Sequence, residues 1–346
     1  MMGTPSGTSS SEGSDSADRT TTGTERAVYG TGSVSELQSF LSAYAWDRLG
    51  SPTAKVRFRA GRIDAVWGVE LDDGRAVVIK VHRPPADIDA IAAAGDAQRL
   101  LTAANFPCPE PLSGPDEIDG RVLTAEVLLA GEVPDGRDPV NRRLLAAGLA
   151  WHVDLLRSRP DLLHRTGPGP SWCHYQAGPW PVPHDPIVDF RSTPAGYGWL
   201  DTFAQRAADQ ILAYRDGAEV VVGHADWYAG NAAVAEGALV GTFDWELVAD
   251  AEAVIAGFTA ACYAASSTSG SGLSTPDEAA AFLQDYEAAR GVSLTGREQR
   301  AASGATAWIL AFNARWELAL PDGDGDDGTN LSLVRERGED YLNLAW

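Results

Sequence analysis

The chain has 346 residues, 44% of them apolar, and a formal net charge of −21, so it is long enough for one large domain or two ordinary ones with a buried core. The strong negative charge excludes a nucleic-acid-binding function, which needs a basic surface, and binding to an anionic membrane face. It is compatible with a cationic substrate, and also with an acidic surface that only keeps the protein soluble.

The cysteines Cys108, Cys173 and Cys262 have no CxxC spacing, which is typical of proteins from a reducing compartment. No apolar run reaches the roughly 18 residues of a membrane span. The first residues have neither the basic nor the apolar region of a signal peptide. We therefore expect a soluble cytoplasmic protein with no nucleic-acid or membrane partner. The sequence does not indicate its oligomeric state.

The first part of the chain changes from a polar tail to a small sheet. Residues 1–30 are mainly Ser, Thr, Gly and Asp, which predicts a disordered tail. A capping box from Ser33 to Glu36 precedes apolar residues at helical spacing, which predicts a helix. Strands are predicted at 55–58, 65–71, 76–81 and 121–128, and a second helix at 87–104. We therefore expect residues 31–130 to form a lobe built on an antiparallel sheet.

The remainder, residues 131–346, has mainly helical periodicity. An irregular stretch at 165–197 is rich in Pro, Gly and Trp, and so long a stretch is usually functional or disordered. A short apolar strand at 220–222 precedes a hairpin formed by 232–234 and 239–243. Helices are predicted at 142–157, 199–214, 252–264, 276–289, 297–320 and 333–344. The order of elements predicts an α+β protein with a strand-rich lobe followed by a larger helical lobe.

Polar residues around the predicted hairpin have the spacing of a phosphoryl-transfer site. His224 ends the short strand, Asp226 and Asn231 follow it, and Asp244 comes directly after the hairpin. Phosphoryl transfer needs a carboxylate to accept the proton of the attacking hydroxyl, and hard oxygen ligands that hold Mg²⁺ on the phosphates. Asp226 suits the first role, and Asn231 and Asp244 suit the second.

Lys80 lies inside the apolar strand at 76–81. A lysine in such a strand is costly unless its charge is paired or bound to a ligand anion. We therefore predict that Lys80 contacts the α- and β-phosphates of ATP.

The lysine on the third strand, the His-x-Asp-x4-Asn motif at 224–231 and the strand-end Asp244 together resemble the aminoglycoside phosphotransferase and choline kinase-like family. The resemblance covers roughly residues 33–346. It implies a two-lobed protein-kinase-like fold that uses ATP and Mg²⁺ to phosphorylate a hydroxyl of a small molecule.

Carried over to this chain, the resemblance makes Asp226 the catalytic base and Asn231 and Asp244 the metal ligands, with Lys80 on the phosphates. It also implies that His224 braces the catalytic loop from behind. The backbone expected to contact adenine is that of Glu126, Val127 and Leu128.

The chain departs from the family pattern at several positions. Ala225 replaces the usual Gly, and Tyr228 replaces a His, so that a phenol, which cannot be cationic, lies near the phosphate. The loop 59–64 contains a single glycine, Gly61, and we expect Arg62 to compensate by contacting phosphate. Asp96 is the predicted acidic partner of Lys80, and Asp89 is the alternative.

The net charge and the family resemblance lead us to expect a cationic acceptor. Tyr228, Asp250 and Glu252 are the predicted substrate contacts, and the two acids can receive an amine. An aminoglycoside, another amino-sugar antibiotic or an amino alcohol fits this expectation. Two alternatives remain open at this point. One is a kinase that acts on a peptide or a biosynthetic intermediate, and the other is a nucleotide-binding pseudokinase that serves as an interaction module.

Two further groups have the composition of metal sites but not the spacing. Cys173, His174 and His184 match no zinc-ligand pattern. The acidic residues from Asp322 to Asp327 lack the glutamate that a calcium loop requires, so we predict a solvated acidic loop.

Overall fold

The computed structural model of the protein describes residues 20–30, 32–167, 169–178, 180–183, 188–265, 272–320 and 329–346. Residues 1–19 of the predicted tail, His184 and the predicted acidic loop lie outside the described residues. The chain separates into two compact units. The first ends at Ile88 and also includes Pro111–Leu128, and the second comprises Asp89–Glu110 and Leu129–Trp346.

The first unit is built on an antiparallel sheet with the strand order β1-β2-β3-β5-β4. Its strands are β1 (Thr53–Ala60), β2 (Ala65–Leu71), β3 (Ala76–His82), β4 (Pro111–Ile118) and β5 (Arg121–Val127). Alternate side chains of β3 are buried, among them Val77, Ile79 and Val81, so one face of the sheet forms a core. Helix α2 (Val34–Leu49) contributes Leu37 and Leu41 to the same core.

Helix α1 (Gly23–Tyr29) lies within the segment predicted to be a disordered tail, so that prediction is wrong for residues 20–30. Thr22 and Glu25 form a reciprocal capping box, which satisfies two backbone N–H groups at the start of the helix. Val28 and Tyr29 are buried in the core of the first unit. Tertiary contacts therefore order a segment whose composition alone is typical of disorder.

Helix α3 (Ile88–Ala103) belongs largely to the second unit, although the sequence placed it in the strand-rich lobe of 31–130. Its buried residues Ala93, Ala97 and Leu101 are part of the larger hydrophobic core of the second unit. The helix itself was predicted from its periodicity, but periodicity does not reveal which core a helix joins.

The second unit is mainly helical and contains two small sheets. The longest of its helices, α9, packs against α6, α7 and α10 and buries Trp308 and Phe312. The helices are α4 (Pro139–Arg157), α5 (Pro160–Arg165), α6 (Gly198–Arg215), α7 (Glu252–Cys262), α8 (Pro276–Arg290), α9 (Gly296–Ala319) and α10 (Thr329–Leu342). Strand β6 (Val220–His224) pairs with β9 (Leu247–Ala251), and β7 (Ala232–Ala235) pairs with β8 (Ala238–Thr242).

The predicted α+β class is confirmed by the sheet of the first unit and the helices of the second. The stretch at 165–197 has two short 3₁₀ turns, Ser171–Cys173 and Tyr175–Ala177, among its described residues. Of the helices in the described ranges, none combines the length and the apolar character that a membrane crossing requires.

Candidate active site

The backbone of the second unit brings the predicted catalytic segment and the residues around Asp244 together. His224 at the end of β6 lies opposite Leu247 of β9. The Ala225 N–H donates to the Glu246 carbonyl at 2.8 Å, and the Phe243 N–H donates to the Asn231 carbonyl at 2.8 Å. The hairpin β7–β8 therefore returns the chain to the segment that it left.

Asn231 holds the carboxylate of Asp226. Its Nδ2 donates to Asp226 Oδ2 at 2.9 Å and to the Asp226 carbonyl at 3.0 Å. Because the amide nitrogen is used in this way, Asn231 offers its Oδ1 as the atom that suits a hard cation. The structure thus brings together two of the residues that the sequence singled out.

His224 connects the two halves of the site through both ring nitrogens. Its Nδ1 accepts the Asp226 N–H at 3.0 Å, so Nε2 carries the ring proton and donates to the Phe243 carbonyl at 2.9 Å. The side chain is buried. We therefore assign His224 a positioning role, because it fixes the backbone of Asp226 and of the residue before Asp244.

His152 extends this network, although nothing in the sequence had identified it as a site residue. Its Nε2 accepts the His224 N–H at 3.2 Å, so its Nδ1–H donates to the Gly148 carbonyl at 3.1 Å. The rings of Trp227 and Trp245 lie 4.7 and 5.4 Å from the His152 ring. Aromatic side chains therefore enclose the two histidines.

Acid is expected to destabilise the protein partly through His152. Burial, together with the neighbouring His224, lowers the pKa of His152 to about 3. Protonation would place a hydrogen on the nitrogen that accepts the His224 N–H. As the pH falls below about 6.5, the unfolded chain binds this proton and the folded protein does not, so stability falls by up to about 1.4 kcal/mol per pH unit until the folded pKa is reached.

The measurement is the free energy of urea unfolding between pH 7 and pH 4, for the wild type and for His152→Phe. At pH 7 the variant is expected to have a lower free energy of unfolding than the wild type. Below about pH 6.5 this free energy should fall less steeply with pH than that of the wild type. His164→Gln, which changes an exposed histidine, serves as the control. Equal slopes for the wild type and His152→Phe would contradict the assignment.

Tyr228 lies next to the carboxylates of the site. Its ring covers Gly230, where an added Cβ would lie 2.3 Å from Tyr228 Cε2, so a larger residue would displace the ring. Burial, and then the negative charges of Asp226 and Asp244, raise the pKa of the Tyr228 phenol. The phenol therefore stays protonated and can donate a hydrogen bond.

Asp244 is exposed and has a backbone φ of +55°, a left-handed conformation that aspartate tolerates better than most residues. The next residue, Trp245, is buried, and its ring lies 4.7 Å from the His224 ring. The assignment of the Asp244 carboxylate and the Asn231 amide oxygen as Mg²⁺ ligands stays a prediction. Within the described ranges no group of three His, Cys, Asp or Glu residues is arranged to bind a metal. In proteins Mg²⁺ is typically held by only a few protein oxygens, and phosphate oxygens complete its coordination shell.

In the first unit, Lys80 lies half-buried on β3, opposite Val66 of β2 and Thr124 of β5. Sequence reasoning did not connect it with Asp64. Burial alone would raise the pKa of Asp64, but the His82 hydrogen bond and the charges of His82 and Lys80 lower it. Lys80 thus lies within electrostatic range of a carboxylate at the end of the predicted phosphate loop.

Asp96, the predicted partner of Lys80, accepts hydrogen bonds from Arg99 at 2.9 Å and from Arg165 at 2.6 Å. Its pairing with Lys80 stays a prediction, and these two arginines compete with it. The Leu128 N–H donates to the Ala76 carbonyl at 3.0 Å, so adenine would have to use other backbone groups of the segment from Glu126 to Leu128.

Asp250 and Glu252 are buried and engaged by side chains of the second unit. Asp250 accepts from Tyr175 Oη at 2.7 Å and pairs with Arg215 at 3.2 Å. Glu252 pairs with Arg157 at 2.5 Å and with Arg290 at 2.7 Å, and it accepts from Tyr286 Oη at 2.8 Å. These contacts overturn the prediction that the two carboxylates receive a substrate amine.

Glu252→Gln is expected to lower the free energy of unfolding by about 3–5 kcal/mol, because it leaves Arg157 and Arg290 without their buried counter-charge. The Glu252 side chain is only 7% exposed, whereas Glu219, the other partner of Arg157, is 62% exposed. The matched control Glu219→Gln should therefore cost less than about 1 kcal/mol. Urea denaturation measures both. A stable Glu252→Gln protein with a raised KM for the acceptor would restore the substrate role.

The chain is similar to known proteins in its sequence pattern and in its fold. A protein-family model described as "Phosphotransferase enzyme family" matches residues 56–302. No curated protein sequence matches the chain significantly.

Solved structures are similar to the chain in fold. A complex of amicoumacin kinase with AMP-PNP and Ca²⁺ has 11% identity and a TM-score of 0.62 over 88% of this chain and 93% of that one. A ternary complex of an aminoglycoside phosphotransferase with AMP-PNP and hygromycin B has 14% identity and a TM-score of 0.56 over 88% and 98%. An ethanolamine kinase of Plasmodium vivax has 13% identity and a TM-score of 0.54 over 89% and 87%. The predicted two-lobed kinase-like fold is therefore confirmed.

Proposed function

Because the chain belongs to the phosphotransferase enzyme family, we propose that it is a small-molecule kinase, which transfers the γ-phosphate of ATP, with Mg²⁺, to a hydroxyl group of an amine-bearing small molecule. The observation that carries the proposal is the Asp226 carboxylate, which Asn231 orients through a 2.9 Å hydrogen bond. His224 holds the backbone of Asp226 and that of Phe243, the residue before Asp244. The cytoplasmic location expected from the cysteines stays a prediction.

In the proposed reaction, Asp226 accepts the proton of the acceptor hydroxyl as the hydroxyl oxygen bonds to the γ-phosphorus. The bond between that phosphorus and the oxygen bridging to ADP breaks, and ADP leaves with the electron pair. Asn231 Oδ1 and the Asp244 carboxylate would hold Mg²⁺, which supplies charge neutralisation on the phosphates when bound. The Tyr228 phenol, which stays protonated, can donate a hydrogen bond to an oxygen of the transferring group.

The amine-bearing acceptor is supported by the net charge of −21 and by similarity to kinases whose own acceptors include ethanolamine and to a phosphotransferase bound to hygromycin B. Asp250 and Glu252, which were first considered as the groups that bind the amine, are paired with arginines instead.

A direct test incubates the purified protein with γ-labelled ATP, Mg²⁺ and a panel of hydroxylated amines, together with matched alcohols that lack the amine. Label transfer to amines and not to the matched alcohols is the expected result. Transfer only to amine-free compounds, peptides or biosynthetic intermediates would contradict the cationic acceptor. Nucleotide binding without transfer to any acceptor would favour a pseudokinase.

A further inference from the structure

The predicted phosphate loop, residues 59–64, comprises the end of β1 and the turn into β2, and helix α1 holds it in place. From these contacts we infer that Glu25 and Thr24 are positioning residues for nucleotide binding, because they fix the loop predicted to contact phosphate. The inference rests on the proposed function of this loop. It extends the nucleotide site to a helix that lies outside residues 56–302, the part of the chain that matches the family model.

The first contact is a buried ion pair at the start of the loop. Arg59 Nε donates to Glu25 Oε1 at 2.8 Å, and Arg59 Nη2 donates to Glu25 Oε2. The two side chains are only 9% and 2% exposed. Burial alone would raise the pKa of Glu25, but hydrogen bonds from Arg59 and Thr22 hold it below its usual value. Glu25 is therefore charged at neutral pH. It fixes Arg59, which lies near the end of β1.

The second contact lies in the middle of the loop. The Thr24 hydroxyl donates to the Arg62 carbonyl at 3.0 Å. Arg62 is the residue that we expect to contact phosphate. A hydrogen bond to its carbonyl restricts the backbone from which that side chain projects.

The far end of the loop is fixed by the strand that carries Lys80. Asp64 accepts the Arg83 N–H at 2.8 Å and the His82 Nδ1–H at 2.9 Å. Gly61 has a φ of +103°, and a Cβ there would lie 1.9 Å from the Asp64 carbonyl oxygen, so the close turn requires glycine. A loop with one glycine is therefore held at its start, middle and end, and such preorganisation lowers the entropy cost of binding a ligand.

The test compares Thr24→Val and Glu25→Gln with the wild type, in the full chain. Thr24→Val removes one exposed hydrogen bond and should not impair folding. We expect it to raise the KM for ATP about 5-fold, and Glu25→Gln to raise it at least about 10-fold. Neither variant should change the KM for the acceptor. Amide hydrogen exchange in residues 60–64 should be faster in both variants, which is a readout that does not depend on activity.

Arg57 of β1 and Glu70 of β2 provide the matched control. They form an ion pair on the two strands that the loop connects, and their side chains are 46% and 38% exposed. Glu70→Gln should change neither the KM for ATP nor the exchange of residues 60–64. The inference is overturned if Thr24→Val and Glu25→Gln bind ATP as the wild type does, or if Glu70→Gln has the same effect as they do. A wild-type protein that does not bind ATP would instead overturn the proposed function.

Discussion

Asp226→Asn is expected to lower kcat by roughly 10²–10⁴-fold, the usual loss when a general base is removed. The amide oxygen of the new residue can still accept the Asn231 Nδ2–H that Asp226 accepts at 2.9 Å. The geometry of the loop should therefore survive, while the group that takes the hydroxyl proton is lost. The expected signature is a low kcat with a nearly unchanged KM for ATP and an unchanged Tm.

The control for this substitution is Asp154→Asn, which neutralises a carboxylate that is 81% exposed on helix α4. It should leave kcat within about two-fold of the wild type, since exposed single charges contribute little. If Asp226→Asn kept most of the wild-type kcat, Asp226 would not be the base. A large fall in Tm would show instead that the carboxylate supports the fold.

Much of the candidate site could be proposed from the sequence because its residues are close together in the chain. Asp226 and Asn231 lie in one short segment, and the hairpin that follows brings Phe243 back beside Asn231. A strand, a turn and a hairpin are local patterns that composition and periodicity reveal. Lys80 was likewise recognisable as a charge within an apolar strand.

The roles that were missed depend on partners distant in the sequence. Glu252 and Asp250 looked available for a substrate, but Arg157 lies 95 residues before Glu252 and Arg215 lies 35 before Asp250. His152 reaches the site only because helix α4 packs beside His224, 72 residues further along the chain. Nothing in a local pattern specifies such pairings, so a lone histidine or acid cannot be assigned before the packing is known.

Asp244→Ala is expected to raise the Mg²⁺ concentration needed for half-maximal activity by at least about 10–100-fold, since even residues that only support a metal ligand contribute that much. Asp244 is exposed, and its buried neighbour Trp245 holds its backbone against His224. Removing the carboxylate should therefore leave the fold intact. Glu246→Gln is the matched control, because Glu246 is also exposed, lies two residues away and is not a predicted ligand.

Asn231→Asp separates metal binding from orientation of the base. The new carboxylate keeps an oxygen ligand for Mg²⁺ but loses the Nδ2–H that Asn231 donates to Asp226 Oδ2. Two adjacent carboxylates also repel each other, which raises the pKa of at least one. We therefore expect a roughly unchanged Mg²⁺ requirement, a kcat lowered about 10-fold or more, and a pH–rate profile shifted to higher pH. If Asn231→Asp left kcat and the pH–rate profile unchanged, the hydrogen bond to Asp226 would have no catalytic role.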